Sequence, residues 1–495
     1  MKKIFLLLFL SLLISIGFAA SKPNIIVILA DDMGYDSINA LNPKNPIPSP
    51  HLDTLLKQGM NFTDAHSGSA VCTPTRYGLL TGRYCWRSRL QKSVLWTWDK
   101  PLIPRSRLTI ATMLRRKGYK TACIGKWHLG WEWPKKNDKI DFTQAIKGGP
   151  TELGFDYYFG DDVPNFPPYV YIENQHTVGL PTAEKPKKMF GGKGPMLPGW
   201  KLENVMPDIT AKSVEYINAR GKDKKPFFLY FSLTAPHTPI APSKEFQGKS
   251  GIGPYADFLM ETDWSVGQIV SALKVNGLSD NTLLIFTADN GTSPHAKLFD
   301  KLKKNNVDLQ YHFRGNKADA FEGGHRVPFI ASWPGQILAG SKSGEVICLN
   351  DIMATAAELT DFDFAENEAE DSRSLLTILK GKKLSKPLHE YLVNHSINGK
   401  FAIRSGKWKL IFCAGSGGWS GPREKRALAK KLPTRQLYNL GIDLKEKNNL
   451  IAEYPELVEE MTNALIKIIS DGRSTPGKTQ KNDVAVAKNE FWMKK

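Results

Sequence analysis

The sequence predicts an α/β protein built around a wound, mostly parallel β-sheet that helices cover on both faces. Three runs of apolar residues, rich in β-branched and aromatic side chains, predict buried strands at 24–30, 226–232 and 282–288. Segments with the apolar spacing of helices lie at 108–117 and 255–276. Strands that alternate with helices are typical of a parallel sheet, because a crossover must return the chain to the same edge.

A change in the sequence pattern divides the chain into two parts. We predict one large α/β domain at 21–375, followed by a smaller α+β subdomain with an antiparallel sheet at 376–472. The subdomain contains a hairpin pattern at 401–412 and a segment of helical periodicity at 453–470. Residues 473–495 are polar and are expected to form a tail that frays.

Length and composition are those of a folded globular protein. The chain has 495 residues, of which 41% are hydrophobic and 23% charged, and this excludes a disordered, collagen-like or coiled-coil protein. The 67 basic and 49 acidic residues leave a net charge of +18, which indicates an anionic partner. The basic residues match no nucleic-acid-binding motif, so we expect no nucleic acid as partner and interpret their local runs as solvated surface. These runs lie at 115–117, 222–225, 301–304 and 423–431.

The first twenty residues have the pattern of a secretory signal peptide. Lys2 and Lys3 precede an apolar run, small residues follow it, and cleavage is expected near Ala19 or Ala20. Cleavage would lower the net charge from +18 to +16, because two lysines are removed. We therefore expect a secreted or periplasmic protein, the alternative being an uncleaved N-terminal anchor. No other stretch approaches the roughly 20 apolar residues of a membrane span, so we expect no stable span.

The five cysteines are an odd number, so at least one of them is unpaired in a monomer. In an oxidising compartment, the four other than Cys72 could pair in three ways, and their spacing does not choose among these. They are Cys85, Cys123, Cys348 and Cys413.

Oxygen-bearing side chains directly follow two of the predicted strands. Asp31 and Asp32 follow the first strand, and Asp289 and Asn290 follow the third. In open parallel sheets, ligands bind beyond the carboxyl ends of the strands. Oxygen-only ligands suit a hard cation, Ca²⁺ or Mg²⁺. The alternative is that each acidic residue caps the helix after its strand.

The segment at 70–83 is a second candidate site. Cys72 and Arg76 are four residues apart and would share a helix face, and a cation beside a cysteine at a helix start favours reactive sulfur. The alternative is an inert buried thiol, the usual state of a lone cysteine.

Several motifs of this chain resemble those of one enzyme family. Cys72, Pro74 and Arg76, with Leu-Thr-Gly-Arg at 80–83, resemble the signature of the formylglycine-dependent, type I sulfatases. The segment at 159–165 departs from the pattern, because it lacks the serine that some eukaryotic relatives place after the corresponding glycine. In its overall sequence pattern, the chain is most similar to arylsulfatase and N-acetylgalactosamine-6-sulfatase-like bacterial members of this family. Further family motifs occur in order at 31–35, 125–130, 236–237, 287–291, 314–317, 322–324, 402–410 and 436–450.

The resemblance implies a fold and a reaction. The fold is a large alkaline-phosphatase-like sandwich with a central mixed, mostly parallel sheet, which makes residues 21–375 a catalytic sulfatase domain. The reaction is hydrolysis of a sulfate ester with release of inorganic sulfate. The signature cysteine, here Cys72, would be oxidised to formylglycine by a formylglycine-generating or anaerobic sulfatase-maturating enzyme. The hydrated aldehyde of residue 72 would then be the nucleophile.

The resemblance also implies a metal site, in which Ca²⁺, or Mg²⁺, is held by oxygen ligands. The ligands would be Asp31, Asp32, Asp289, Asn290 and one oxygen of the modified Cys72.

The family's catalytic roles transfer to five further positions. Arg76 would lie against the hydrated aldehyde, Lys126 would stabilise its oxyanion, and His128 would take a proton from its second hydroxyl. His237 and Lys317 would bind the sulfate, and one of them would help to protonate the leaving alcohol. Taken singly, each histidine is more often a packed loop or turn residue, so only the joint pattern supports these roles.

The substrate is inferred from resemblance to bacterial relatives that act on sulfated glycans. This resemblance favours an exo-acting enzyme, one that acts on galactose- or N-acetylgalactosamine-type sugars of a sulfated polysaccharide. His325 and Arg326 are candidate sugar or sulfate contacts, the alternative being a structural arginine beside a Gly-Gly turn. Trp96 and Trp131 belong to a group of tryptophans that could stack on sugar rings or lie in the core. The resembling segments lie at 147–150, 167–174 and 323–326.

Two other functions remain open on the sequence. A phosphonate or phosphate ester hydrolase of the same superfamily would also bind a tetrahedral anion. Relative rates of hydrolysis of sulfate, phosphate and phosphonate esters would distinguish it from a sulfatase. A non-catalytic polyanion-binding relative with a degenerate site is the other possibility, and the mass of residue 72 would identify it.

Overall fold

A computed structural model describes residues 22–223, 225–295 and 298–486 of the chain. The predicted signal peptide at 1–20 and the last nine residues of the predicted tail lie outside these ranges. No helix within the described ranges is long and apolar enough to cross a lipid bilayer.

Strands and helices alternate along the described part of the chain. The strands are β1 (Asn24–Ala30), β2 (Met60–Phe62), β3 (Ala65–His66), β4 (Lys120–Gly125), β5 (Lys135–Lys136), β6 (Lys139–Ile140), β7 (Tyr157–Gly160), β8 (Ile172–Glu173), β9 (His176–Thr177), β10 (Ala183–Glu184), β11 (Pro195–Met196), β12 (Phe227–Ser232), β13 (Thr282–Ala288), β14 (Phe329–Ser332), β15 (Ser341–Ser343), β16 (Ile347–Cys348), β17 (Leu392–His395), β18 (Phe401–Ser405), β19 (Trp408–Ile411) and β20 (Gln436–Asn439). The helices are α1 (Pro50–Gln58), α2 (Cys72–Thr81), α3 (Ile110–Arg116), α4 (Val205–Gly221), α5 (Pro254–Val275), α6 (Leu298–Lys303), α7 (Glu322–His325), α8 (Asp351–Leu359), α9 (Leu376–Leu379), α10 (Glu424–Ala429) and α11 (Pro455–Ser470).

The central sheet has ten strands in the order β15-β2-β14-β13-β1-β12-β4-β7-β8-β9. Its middle, from β13 to β7, is parallel, and antiparallel strands join on both sides. Val27 of β1 lies between Tyr230 of β12 and Ile285 of β13. Every residue of β1, β12 and β13 is buried, as an internal parallel strand requires. The predicted mixed, mostly parallel sheet and its three predicted strands are confirmed.

Two groups of helices pack with the sheet. In one group α5 contacts α4 and α1, and in the other α8 contacts α2 and α3. The predicted helices at 108–117 and 255–276 correspond to α3 and α5. We did not predict β4 and β7, although both lie in the parallel part of the sheet.

The C-terminal part forms a separate antiparallel sheet, β17-β18-β19-β20, with α11 beside it. Its hydrophobic core includes Ile403 of β18 and Leu410 of β19, and Trp86 of the large domain is buried in the same core. The subdomain therefore shares its apolar interior with the large domain instead of folding around a core of its own.

The described part of the tail contacts the large domain. The backbone amides of Ser474 and Thr475 donate to the Glu370 carbonyl, and Asp483 forms an ion pair with Arg83 at 3.1 Å. These contacts were not expected from the polar sequence of this segment, and its fraying stays a prediction.

All five cysteines lie in the described ranges, and each is a free, buried thiol. None of the three possible pairings of Cys85, Cys123, Cys348 and Cys413 is formed. Burial raises the pKa of the Cys85 thiol to about 12, so this side chain acts as a small apolar group of the core.

Candidate active site

The carboxyl ends of four neighbouring strands bring most of the predicted site residues together. In the order β13-β1-β12-β4, the strands are followed by Asp289, Asp31, His237 and Lys126 with their neighbours. The parallel register aligns these strand ends, so residues that lie up to 258 positions apart in sequence come into contact.

Helix α2 places the predicted nucleophile position at the centre of this group. Cys72 is the first residue of the helix, and the whole helix is buried. The Nζ atom of Lys317 lies 3.7 Å from Sγ of Cys72. Ligand atoms of Asp31, Asp32, Cys72 and His237 all lie within 4.8 Å of one another.

Three cations and three carboxylates pair within the site, all of them buried. Lys126 Nζ lies 2.7 Å from Asp31 Oδ2, and Lys317 Nζ lies 2.5 Å from Asp32 Oδ1. Arg76 donates to Asp289 Oδ2 from both Nη2, at 2.7 Å, and Nε, at 3.2 Å. Buried charges need such partners, because an uncompensated ion in the interior is costly.

The oxygens left without partners fit a divalent cation. Asp31 Oδ1, Asp32 Oδ2 and Asn290 Oδ1 are buried and accept no hydrogen bond from the described residues. Arg76 Nη2 and His237 Nε2 each lie 3.7 Å from one of the two carboxylate oxygens, too far for a hydrogen bond, so a bound cation would satisfy these oxygens better. Burial opposes ionisation of Asp32, but Lys317 and His237 overcome it, so the pKa of Asp32 lies below its usual value. An all-oxygen set of this kind suits Ca²⁺ or Mg²⁺.

The thiol of Cys72 is not activated in the way that the sequence suggested. Arg76 does share the buried helix with Cys72, but its guanidinium binds Asp289, the Lys126 carbonyl and Ser232 Oγ. Burial raises the pKa of the Cys72 thiol, although Lys126 and Lys317 oppose this shift. The direction of this shift disfavours the thiolate, so it does not support the expectation of reactive sulfur at an unmodified Cys72.

His128 presents one free nitrogen to the interior. Its Nε2 lies 2.9 Å from the Leu95 carbonyl, which can only accept, so Nε2 carries the proton. Its Nδ1 is buried and has no hydrogen-bond partner among the described residues. Burial, followed by the charge of Lys126, holds the pKa of His128 well below its usual value. The neutral ring thus offers Nδ1 as a proton acceptor.

His237 borders the entrance of the site. Its Nε2 lies 3.7 Å from Asp32 Oδ2, and 11% of its side chain is exposed. Burial holds the pKa of His237 well below its usual value, although Asp32 favours the charged form. The Thr238 carbonyl lies against Nδ1 and can only accept, so Nδ1 carries the proton of the neutral ring. Nε2, which faces the site, is then a proton acceptor, and it can bind an anion only after it has gained a proton.

The structure does not bring His325 and Arg326 to this group. His325 Nδ1 lies 2.9 Å from His66 Nδ1, and its Nε2 lies 3.1 Å from Lys409 Nζ. Arg326 pairs with Glu322 Oε2 at 2.7 Å and also with Asp64. Both predicted contacts belong to a buried charge network between the large domain and the C-terminal sheet. Arg326 is therefore placed as a structural arginine, which was the alternative interpretation, because the donors of its guanidinium group already bind other residues.

Sequence reasoning missed two acidic residues behind the site. Asp162 Oδ1 accepts hydrogen bonds from the His128 amide and from Trp131 Nε1, both at 3.1 Å, and so positions the loop that carries His128. Neither carboxylate oxygen of the buried Asp161 has a partner among the described residues. Both lie in the segment that departs from the family pattern, and that departure was the only signal in the sequence.

Asp161 is expected to make stability pH-dependent. Burial, reinforced by the charge of Asp162, raises its pKa from 3.8 to about 7. The folded chain therefore binds this proton more tightly than the unfolded chain, and the free energy of unfolding falls as pH rises from about 4 to 7. The Asp161→Asn variant should be more stable than wild type at pH 8, on the order of 2–4 kcal/mol, and nearly equal to it at pH 4.

Urea unfolding at pH 4, 6 and 8 measures this effect. The exposed Asp138 provides the matched control, since Asp138→Asn should leave the pH dependence unchanged. A difference between Asp161→Asn and wild type that is the same at all three pH values would contradict the prediction.

Comparison with known proteins identifies the family. The family model described as Sulfatase matches residues 23–362. An N-acetylgalactosamine-6-O-sulfatase of Bacteroides thetaiotaomicron is 34% identical, over 91% of this chain and 93% of its own length. A solved structure from work on the metabolism of multiple glycosaminoglycans by the same species is 32% identical with a TM-score of 0.79, over 91% of this chain and 99% of that chain. The structure of Ps i-CgsB in complex with k-i-k-neocarrahexaose is 25% identical with a TM-score of 0.70, over 93% and 95%.

The family model covers more than half of the chain, and the similarity to the Bacteroides relative extends over nearly all of it. Several of the motifs that carried the resemblance lie at strand ends or on helix α2, and the structure brings Asp31, Asp32, Cys72 and His237 from them into one buried group. The chain belongs to the sulfatase family and is a sulfuric ester hydrolase.

Proposed function

We propose that this enzyme is an exported sulfatase that hydrolyses sulfate esters of a glycan through a formylglycine made from Cys72. The sugars would be of the galactose or N-acetylgalactosamine type, and attack would be at the chain end. The observation that carries the proposal is the buried position of Cys72, 3.7 Å from Lys317 and within 4.8 Å of three further ligand atoms. The 34% identity to an N-acetylgalactosamine-6-O-sulfatase supports this sugar class.

The raised pKa of the Cys72 thiol argues against the unmodified thiol as the nucleophile. A buried, protonated thiol would be a poor nucleophile towards a sulfate ester, whose own oxygens repel anions. Hydrated formylglycine would supply at residue 72 a nucleophilic oxygen and a second hydroxyl for release of sulfate. Lys126 and Lys317 would bind the developing negative charge, because both ammonium groups are buried and already oriented by Asp31 and Asp32.

The proton acceptor is assigned to His128, and the proton donor to His237 or Lys317. His128 Nδ1 would accept a proton from residue 72, since it is the ring's free nitrogen and the Leu95 carbonyl fixes the tautomer. His237, at the partly exposed edge, and Lys317 would contact the sulfate, and one of them would help to protonate the leaving alcohol. Arg76 would act by holding Asp289 and the Lys126 backbone in place.

A divalent cation would be held by Asp31, Asp32, Asp289, Asn290 and residue 72. When bound, Ca²⁺ or Mg²⁺ would supply positive charge that offsets repulsion between the nucleophile and the sulfate. The three unpartnered oxygens of Asp31, Asp32 and Asn290 support this assignment.

Addition of Ca²⁺ to the EDTA-treated enzyme should raise its melting temperature by about 3 °C or more, because the ion binds only the folded site. In the Asp32→Asn variant the shift should be largely lost, whereas Asp138→Asn should retain it. Differential scanning fluorimetry measures the shift without any assay of activity. A shift of equal size in Asp32→Asn would contradict the assignment of the site.

An exposed aromatic surface beside the site supports a sugar substrate. Trp96 is 59% exposed, its ring centre lies 5.7 Å from that of Phe166, and the Phe166 ring centre lies 5.8 Å from that of His128. Trp131, in contrast, is buried and belongs to the core. Flat aromatic faces at the entrance are suited to stacking on sugar rings.

Release of sulfate from a panel of sugars tests the proposal. Galactose, N-acetylgalactosamine and glucosamine carrying sulfate at defined carbons should show the highest kcat/KM for a 6-sulfated galactose-type sugar. Highest activity on a glucosamine sulfate would overturn the sugar class. Faster turnover of 4-nitrophenyl phosphonate or phosphate than of 4-nitrophenyl sulfate would favour the alternative, a hydrolase of those esters from the same superfamily.

Export is proposed from the N-terminal pattern alone. Expression of the full chain in a host with periplasmic secretion, followed by N-terminal sequencing of the mature protein, tests it. Sequencing should begin near residue 20 or 21, and an intact Met1 in the purified protein would contradict cleavage.

A further inference from the structure

The C-terminal subdomain contributes a loop, residues 415–421, that lies directly on the segment carrying Lys317. The backbone amides of Trp419 and Ser420 donate to Asp319 Oδ1 at 2.8 and 3.0 Å. The other oxygen of Asp319 accepts from the Asn316 amide at 2.9 Å. Asp319 is two residues from Lys317, a span of at most about 7 Å along the chain. The loop is therefore a neighbour of the active site, held there by one buried carboxylate.

A groove opens on the outer side of this loop. It has a volume of about 870 Å³, and its lining includes Trp419 and four cationic side chains. The cations are Arg423, Lys425, Arg426 and Lys430. No acidic side chain of the described residues forms an ion pair with any of the four. We call this surface, formed by Trp419 and these four cations, the basic groove.

The charge of the basic groove is not neutralised locally. Residues 423–432 contain five cationic residues and one acidic residue, Glu424, which leaves a net charge of +4. The Glu424 carboxylate accepts from the amides of Ala414 and Gly415, at 3.1 and 2.9 Å, so it is directed into the fold and not towards the cations. A concave surface lined by one sign of charge concentrates ions of the opposite sign.

An aromatic ring accompanies this charge. Trp419 is 37% exposed, although its backbone is fixed by Asp319, so the ring is presented on a rigid support. Guanidinium groups bind sulfate and carboxylate through paired N–H donors, and an indole face can stack on a sugar ring. Together these groups match a chain of sugars that carries regularly spaced anionic groups.

We propose that the basic groove binds the sulfated chain that extends away from the sugar held at the active site. The assignment of the chain as a sulfated glycan rests on the proposed function, whereas the affinity of the groove for a polyanion does not. Because the groove is separated from the reacting atoms by the Asp319 segment, it would contribute binding energy equally to ground and transition state. Its loss should therefore raise KM for long substrates and leave kcat unchanged.

A triple variant, Arg423→Ser with Arg426→Ser and Lys430→Ser, tests the effect on catalysis. We compare kcat/KM for N-acetylgalactosamine 6-sulfate with that for a chondroitin hexasaccharide that ends in the same sulfated sugar. The ratio of the hexasaccharide value to the monosaccharide value should fall about tenfold in the variant. A matched variant that loses three exposed lysines elsewhere, Lys380, Lys382 and Lys383, to serine should keep the wild-type ratio. An equal ratio in the two triple variants would overturn the proposal.

Direct binding separates this proposal from the proposed function. In the Cys72→Ala background, isothermal titration with chondroitin 6-sulfate at low salt should give about tenfold weaker binding for the groove variant than for the lysine control. Trp419→Ala should weaken binding in a salt-independent way. If the wild-type enzyme releases sulfate from none of the glycans but the groove variant still binds chondroitin 6-sulfate more weakly than the control, the proposed function fails and the groove proposal holds. If the groove variant binds the polymer as the control does, or if wild type prefers phosphatidylglycerol vesicles or DNA to the polymer, the groove proposal fails.

Discussion

The Cys72→Ala variant is expected to lose about 10,000-fold or more in kcat/KM while it keeps its fold. Alanine removes the sulfur that would be converted to the aldehyde, so no nucleophilic oxygen can form at position 72. The side chain is small and buried, and α2 does not depend on it, so the melting temperature should change by only a few degrees. Initial rates with 4-nitrophenyl sulfate and a thermal melt measure the two effects.

The Cys72→Ser variant tests the need for two hydroxyl groups at this position. A serine hydroxyl could accept one sulfate but has no second hydroxyl with which to expel it. We expect at most one turnover, with a mass gain of about 80 Da on the peptide that contains residue 72. Repeated turnover by Cys72→Ser at the wild-type rate would exclude the proposed chemistry.

Two further measurements control for general effects of these substitutions. Cys348 is another buried thiol, and Cys348→Ala should retain wild-type activity because it lies outside the active site. In wild-type protein from its native host, the residue 72 peptide should be about 18 Da lighter than the unmodified sequence predicts. An unmodified thiol in fully active enzyme would contradict the formylglycine proposal.

The Lys409→Met variant is expected to lose about 3–5 kcal/mol of unfolding free energy. Lys409 Nζ lies 2.9 Å from Glu322 Oε1, 2.9 Å from Glu446 Oε1 and 3.1 Å from His325 Nε2, and all four side chains are buried. Methionine has a similar length but no charge, so the variant leaves two carboxylates buried without their shared cation. Urea unfolding followed by tryptophan fluorescence measures the loss.

The directions of the hydrogen bonds in this network follow from Lys409. An ammonium can only donate, so His325 Nε2 accepts from Lys409 and its Nδ1–H donates to His66 Nδ1. His66 Nε2–H then donates to Asp64 Oδ1 at 2.7 Å. The chain of bonds therefore joins β19 of the C-terminal sheet to the segment beside β3, and its loss should loosen that contact.

Two variants make the prediction for Lys409 specific. Lys409→Met combined with Glu446→Gln should recover part of the lost stability, because Glu322 keeps its pair with Arg326 whereas Glu446 has no second cation among the described residues. Lys467 forms an exposed pair with Asp471 at 2.7 Å, and Lys467→Met should cost less than about 1 kcal/mol. If Lys409→Met is no more destabilising than Lys467→Met, the network does not stabilise the fold.

Parts of the site could be predicted because local patterns specify them. The apolar runs predicted β1, β12 and β13, and the rule that ligands bind beyond strand ends predicted that Asp32 and Asp289 lie close together, as their hydrogen bond shows. The four-residue spacing of Cys72 and Arg76 placed both on α2. Each of these inferences depends on periodicity or on the end of an element, which are properties of a short window.

Other parts could not be predicted, because they depend on which groups become neighbours. His325 and Arg326 follow two glycines in a pattern that suits a binding loop, yet Glu322 and Lys409 engage them in the interior. Asp161 and Asp162 were recognised only as a departure from a motif. The tail at 473–486 contacts Glu370, about a hundred residues earlier, and no local pattern indicated this partner.

The amino-acid sequence was sufficient to predict the fold class, three strands of the central sheet, the family and most of the residues that meet at the strand ends. These features follow from apolar periodicity and from short motifs, and both signals depend only on residues that are close in sequence. Only the tertiary structure decided the state of each group, including the raised pKa of Cys72, the free nitrogen of His128 and the engagement of Arg326 away from the site. The reason is that burial, pairing and charge at any one atom are set by side chains brought from the whole length of the chain.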